Sequence, residues 1–175
     1  MPGPLPGQVF RVQSTKAADP QSHAVNAGEV RRMVSEGMRG LTGEKTDRDA
    51  WARFITAKDV VGIKVNCSGA PNIMSDPYLV GEIARNLTAV GVPAKNIWVY
   101  ERFKNQMDTV GYEKYLPQGA QIAAAEHSRG SVLGYDPKVY VETDFFGEED
   151  TRSNLTRLLS ETFTKIIKLP NMNEH

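Results

Sequence analysis

The chain has 175 residues, a length that fits one domain with a sizeable core, and its 21 basic side chains balance 21 acidic ones. This balance gives no sequence-wide charge that would recruit nucleic acid or an anionic membrane, so we expect no nucleic-acid partner. The single cysteine, Cys67, excludes an internal disulfide and an iron-sulfur cluster held by this chain's thiolates alone. No segment approaches the roughly 18 apolar residues of a membrane span.

The amino-terminal third of the chain predicts one strand and two helices. Residues 9–12 alternate as a short strand does, and a polar, turn-rich stretch follows them. Asn26 and Glu29 resemble the capping box of a helix whose apolar residues recur with helical spacing until Gly43. A second, shorter helix fits residues 46–55.

The most informative stretch is residues 60–77, where a run of β-branched residues typical of a buried strand stops at a polar loop. Residues 75–77 then supply a helix cap and a proline suited to the first helical turn, and Gly91 ends the helical spacing. Because residues 97–100 read as the next strand, the segment predicts a βαβ unit with two parallel neighbouring strands.

The remaining chain alternates in the same way. We predict a helix interrupted near Gly111, two strands, a helix and a last strand, over residues 105–116, 121–125, 139–146, 150–163 and 165–169. The fold class is therefore α/β: a three-layer sandwich with a mostly parallel sheet and helices on both faces. Because a last strand is normally followed by a covering helix, we expect residues 1–175 to form a single domain that is incomplete at its carboxyl end.

Charged residues at two strand ends predict a ligand site, because loops at the carboxyl ends of parallel strands are where such sheets bind ligands. Lys64 lies inside an apolar strand, where a cation is costly unless it is paired or holds an anion. Glu101 and Arg102 end the neighbouring strand, so both signs of charge would surround a crevice suited to a small polar or anionic ligand. The alternative is a simple salt bridge between Lys64 and Glu101.

The loop after Lys64 adds polar candidates. Asn66, Ser68 and Ser75 carry amide and hydroxyl groups that suit a ligand, although turn chemistry alone would select the same residues. Cys67 lies near the start of the next helix, which favours a reactive thiol, and its alternative is a buried structural cysteine.

Two further features bear on a metal site. His175 follows the last strand and is a candidate ligand-binding residue, with an unordered chain end as the alternative. The acidic segment 147–152 lacks the spacing of a calcium loop. We therefore predict no metal site, and the sequence assigns no cofactor.

Three segments together resemble the domain of unknown function 362 family: VGIKVNCSGAPNIMSDPYLVGEIARNL, NIWVYER and KIIKLPNMNEH. That family has an IKPN-like strand end before a Ser/Thr-x-Pro helix start, a strand that ends in an acidic residue, and a Pro-x-x-Lys-x-His-like turn after a late strand. The matching positions here are Lys64, Asn66, Ser75, Pro77, Glu101, Pro170 and His175. The chain departs from the pattern at Val65, Glu101 and Asn173, where proline, aspartate and lysine are usual.

The resemblance implies an uncharacterised bacterial protein of an exported subtype, in a family some of whose members are fused to iron-sulfur modules. It also implies a further segment after His175, which agrees with an incomplete domain. The compartment stays open: periplasmic or exported if a signal was removed, and otherwise cytoplasmic.

Three functional hypotheses follow. The first is a redox-linked enzyme or accessory protein that binds a small polar or anionic ligand at the carboxyl edge of the sheet. The second is a non-catalytic ligand- or metal-binding domain completed by a partner or by a second copy in a homo-oligomer, which predicts an exposed apolar face beside the last strand. The third is a folded but inactive fragment.

Overall fold

The computed structural model describes residues 4–126, 134–142 and 152–171. In chain order the α-helices are α1 (Ala27–Thr42), α2 (Asp47–Ala52), α3 (Pro77–Val90) and α4 (Lys104–Val110). The strands are β1 (Val61–Lys64), β2 (Ile97–Glu101), β3 (Gln121–Ala124), β4 (Tyr135–Glu142), β5 (Arg152–Thr156) and β6 (Lys165–Lys168). A π-helical turn, Leu158–Thr162, lies between β5 and β6. No helix within these ranges is long and apolar enough to cross a membrane.

Four strands form one parallel sheet in the order β3-β2-β1-β6. The central strand is β1, whose Val61 lies opposite Ile97 of β2 on one side and Lys165 of β6 on the other. Val61 and Ile63 are fully buried, as β-branched residues are in a strand covered on both faces. The sheet and its helices confirm the predicted α/β sandwich, and the parallel pairing of β1 with β2 around α3 confirms the βαβ unit.

Helices α1, α2 and α3 share a core with one face of the sheet. Their boundaries follow local signals that are visible in the sequence. The Asn26 side chain accepts a hydrogen bond from the Glu29 backbone N–H at the start of α1, and Asp76 does the same for Leu79 at the start of α3. Gly91 takes the left-handed conformation that ends α3.

The opposite face of the sheet is covered by residues 158–163, with a separate antiparallel ribbon of β4 and β5 beside them. The Phe163 ring lies 5.0 Å from the Tyr100 ring, and the buried Leu158 packs in the same cluster. Gly62 permits this close approach, because a Cβ there would lie 2.5 Å from the Phe163 ring. A short helical turn and an aromatic ring therefore cover this face of the sheet, whereas longer helices cover the first face.

The strand predicted over residues 9–12 is wrong, because this segment pairs with no strand of the sheet. The side chains of Phe10 and Val12 lie against α1 instead, while Val9 is 91% exposed. A Cβ at Gly40 would clash with the Phe10 ring, and one at Gly37 would lie 3.5 Å from Val12. Two glycines of α1 thus receive two of the three apolar side chains that suggested a strand.

The helix predicted over residues 150–163 is also wrong for most of its length. Its first two residues lie outside the described ranges, the next part is β5, and helical structure is confined to the turn that follows β5. Tyr135 of β4 lies opposite Thr156 of β5, so cross-strand pairing outweighs the helical spacing of the leucines. The strand predicted over 139–146 begins earlier, at Tyr135, and residues 143–146 lie outside the described ranges.

Candidate functional site

The carboxyl ends of β1, β2 and β6 meet at one edge of the sheet, as the sequence predicts for parallel strands. Lys64 of β1 lies opposite Tyr100 of β2 and opposite Lys168 of β6. Neighbouring strands are about 4.8 Å apart, and residues paired across them point to the same face. Tyr100, Lys64 and Lys168 therefore form one row on the face that carries Phe163.

Lys64 and Glu101 form an ion pair at this edge. The Lys64 Nζ donates to Glu101 Oε2 at 2.6 Å and to the Val65 carbonyl oxygen at 2.7 Å. Glu101 Oε1 accepts a hydrogen bond from the Arg102 backbone N–H at 2.6 Å. The Glu101 side chain is only 11% exposed and that of Lys64 is 34% exposed, so the charges hold each other in a fixed position. The predicted salt bridge is present, and Arg102 and Lys168 add further charge at this edge.

A cavity of about 360 Å³, which we call the edge cavity, opens beside this row. The sheet supplies one wall, with the row residues, the strand-end residues Glu101, Arg102 and Ala125, and Ile166 of β6. The ribbon and the π-helical turn supply the other wall through Tyr135, Thr156 and Leu159. The volume is at the lower end of the range for small-molecule sites.

Positive charge exceeds negative charge in the edge cavity. Among the described residues that line it, Lys64, Arg102 and Lys168 are cationic and Glu101 alone carries a carboxylate. Among the residues that the structure describes, Arg102 and Lys168 take part in no ion pair. The Arg102 guanidinium lies over the Phe103 ring at 4.9 Å. The cavity therefore keeps two cationic groups with no anionic partner in the described part of the chain.

Two residues that carry hydroxyl groups, Tyr100 and Thr156, line the same cavity. Burial raises the pKa of Tyr100 to about 12, with a further contribution from the negative charge of Glu101, so the phenol stays protonated at neutral pH. Thr156 is 9% exposed, and its Oγ1 makes no hydrogen bond within the described residues. A buried hydroxyl without a partner is uncommon, because the missing bond costs free energy.

The loop residues Asn66, Ser68 and Ser75 serve the backbone instead of the edge cavity. Ser68 donates to Asn66 Oδ1 from its N–H at 3.2 Å and from its hydroxyl at 2.9 Å. The Ser75 hydroxyl is buried; it accepts from the Asn66 N–H at 2.8 Å and donates to the Leu169 carbonyl oxygen at 2.6 Å. These hydrogen bonds match the turn-chemistry alternative, and Ser75 ties the exit of β1 to the exit of β6.

Cys67 matches its structural alternative. The thiol is 1% exposed and lies 3.5 Å from the Tyr112 hydroxyl, and burial raises its pKa. His175 and most of the acidic segment 147–152 lie outside the described ranges. Within those ranges no three His, Cys, Asp or Glu residues come together as metal ligands.

The sequence predicts part of the lining of the edge cavity, and the rest of the lining was not predicted. Lys64, Glu101 and Arg102 are brought together as predicted. Lys168 was not predicted as a site residue, although it lies one residue before the end of the strand predicted over 165–169 and ends β6 in the structure. Thr156 had no such signal, because its segment was interpreted as a helix.

No protein-family model, no curated protein and no solved structure matches the chain. The resemblance to the domain of unknown function 362 family therefore stays a prediction.

Proposed function

We propose that the protein binds a small anionic ligand in the edge cavity. The observation that carries this proposal is the pair of cationic side chains, Arg102 and Lys168, that line one cavity without an anionic partner among the described residues. An anion placed between them would form charge-assisted hydrogen bonds, which are stronger than neutral ones. The position also agrees with the general rule that parallel sheets bind ligands beyond the carboxyl ends of their strands.

The Lys64–Glu101 pair supports the same proposal. Because Glu101 already neutralises Lys64 at 2.6 Å, Lys64 adds little net charge to the cavity. Its ammonium group is instead held in place by the carboxylate. The ion pair thus holds the ends of β1 and β2 in place, and the other two cations attract the ligand.

Isothermal titration calorimetry with phosphate and acetate tests the proposal, in low salt and again at about 0.15 M salt, because screening weakens exposed charges. The informative variant is Lys168→Met, which keeps the aliphatic stem and removes the charge. Lys165→Met is the matched control, since Lys165 lies on the same strand and does not line the edge cavity. We expect Lys168→Met to weaken anion binding about tenfold and Lys165→Met to leave it unchanged. Equal effects of the two variants, or no binding by the natural chain, would contradict the proposal.

The resemblance adds a redox-linked enzyme or accessory role, which we carry as a proposal for this same cavity. Its test is the reduction of an artificial electron acceptor, followed by absorbance, with an oxidisable anion that binds the edge cavity, such as a 2-hydroxycarboxylate, supplied as the electron donor. A rate that does not depend on that anion counts against the role.

The second candidate is a domain completed by a second copy of this chain at the free edge of β6. The observation that favours it is the exposed apolar surface beside the last strand: Ile166 is 48% exposed, and an apolar hollow of about 410 Å³ lies beside it between β6 and helices α1 and α2. A strand edge is self-complementary, because its own copy offers the same donors and acceptors. Light scattering should then give twice the mass of one chain. A single-chain mass at every concentration would overturn this candidate.

A further inference from the structure

The edge cavity has a charged end and an apolar end, and the strand register shows where each end lies. Lys168 and Lys64 occupy the last paired position of β6 and β1, while Ile166 lies two residues earlier on the same face. The carboxyl edge of the sheet is therefore the charged end. Leu159 lines the cavity along with Ile166, and the Phe163 ring occupies the space above Gly62. The side of the cavity that faces away from the edge is therefore apolar.

Within the described part of the chain, large apolar surfaces in this cavity are left uncovered. Ile166 is 48% exposed and Tyr135 is 42% exposed, although both line a concave site. A bare inorganic anion would contact the cationic groups and leave these surfaces in water. A ligand with an apolar body would cover them, and burial of apolar surface is favourable in proportion to its area.

Glu101 affects where the charge of the ligand lies. Its carboxylate lines the same cavity and pairs with Lys64, so this pair adds little net charge and a ligand anion is attracted towards Arg102 and Lys168. The volume of about 360 Å³ restricts the size to a single ring or a short chain.

From these features, and resting on the proposed function, we infer that the ligand is a small amphipathic carboxylate. Its carboxylate lies at the charged end between Lys168 and Arg102, and its apolar body lies against Ile166, Leu159 and Tyr135. The Thr156 hydroxyl, which has no partner among the described residues, turns to donate to the ligand carboxylate. This assignment gives that buried hydroxyl the hydrogen bond it lacks.

Calorimetry on the full chain with three related compounds tests the inference. Phenylacetate carries both the ring and the charge, acetate carries the charge alone, and phenylacetamide carries the ring with a neutral head group. We expect phenylacetate to bind at least tenfold more tightly than either of the others. If acetate, phosphate and phenylacetate bind equally, the proposed function survives and the amphipathic ligand is overturned. If phenylacetamide binds as tightly as phenylacetate, or if none of the compounds binds, the proposed anion site itself fails.

Thr156→Val separates a ligand contact from a structural role, because valine has nearly the same shape and lacks the hydroxyl. Removal of a buried hydroxyl without a partner should leave the unfolding temperature unchanged or raise it, while phenylacetate affinity falls about fivefold. Thr164→Val is the matched control: the Thr164 hydroxyl donates to Asp59 Oδ1 at 2.7 Å, so this variant should lose stability and keep its affinity. Unchanged affinity in Thr156→Val would overturn the part assigned to this hydroxyl.

Discussion

Substitution of Ser75 by alanine tests whether one hydroxyl holds two strand exits together. The hydroxyl accepts from the Asn66 N–H at 2.8 Å and donates to the Leu169 carbonyl oxygen at 2.6 Å, and the residue is 3% exposed. Alanine leaves one backbone donor and one backbone acceptor without a partner at a half-buried site. Each such group costs about 1–3 kcal/mol.

We therefore expect Ser75→Ala to lower the free energy of unfolding by about 2–4 kcal/mol. For a chain of this length, a change of that size lowers the midpoint temperature by about 5–15 °C. Urea denaturation followed by circular dichroism gives the free energy, and differential scanning calorimetry gives the temperature. Because the exits of β1 and β6 also position Lys64 and Lys168, affinity for the anion should fall in the same variant.

Ser68→Ala is the control for Ser75→Ala. Ser68 is exposed, and its hydroxyl bonds only to Asn66 Oδ1, at 2.9 Å, so its loss should cost less than about 0.5 kcal/mol. If Ser75→Ala is no more destabilising than this control, the hydroxyl does not hold the two exits together and the reasoning is refuted.

Three further predictions concern groups away from the edge cavity. Gly62→Ala should lower the free energy of unfolding by about 1–3 kcal/mol in urea, because the new methyl group would lie 2.5 Å from the Phe163 ring; unchanged stability would contradict this packing. Cys67 should resist a disulfide-exchange reagent at pH 8 until the chain is unfolded, since burial raises the pKa of its thiol; rapid labelling of the folded chain would contradict its burial. Burial opposes the ionisation of Asp59, yet hydrogen bonds led by that from Thr164 outweigh it and lower its pKa, so this stabilisation is present above about pH 4 and is lost as the pH falls below it. Asp59→Asn should flatten that part of the stability curve measured by urea denaturation, and an unaltered curve would contradict the assignment.

The central part of the fold could be predicted because its signals are local. The β-branched run of β1, the cap at Asp76 and the left-handed Gly91 each act within a few residues, so the βαβ unit follows from the sequence. The predictions for residues 9–12 and 150–163 are wrong because the structure of these segments depends on the elements they contact. The first segment packs against α1, and part of the second pairs with β4.

The candidate site, too, could be predicted from the sequence only in part. Parallel strands bring their carboxyl ends together, so the meeting of Lys64, Glu101 and Arg102 could be deduced once β1 and β2 were recognised as neighbours. The second wall could not, because Thr156 and Leu159 reach the cavity only after β5 pairs with β4 and the π-helical turn packs against Tyr100. Topology predicts one wall, and tertiary packing determines the other.

The different parts assigned to the cations at the edge follow from this geometry. Lys64 lies on β1, an inner strand of the sheet, and its Nζ is 2.6 Å from Glu101 Oε2. A cation in a half-buried position is costly unless it forms such an ion pair. Lys168 lies on the outermost strand, and Arg102 follows the end of β2, where water already solvates both groups. Neither needs a partner in order to fold, so both can keep their charge for a ligand. Lysine at the centre of the edge therefore contributes order, and the cations on either side of it contribute attraction.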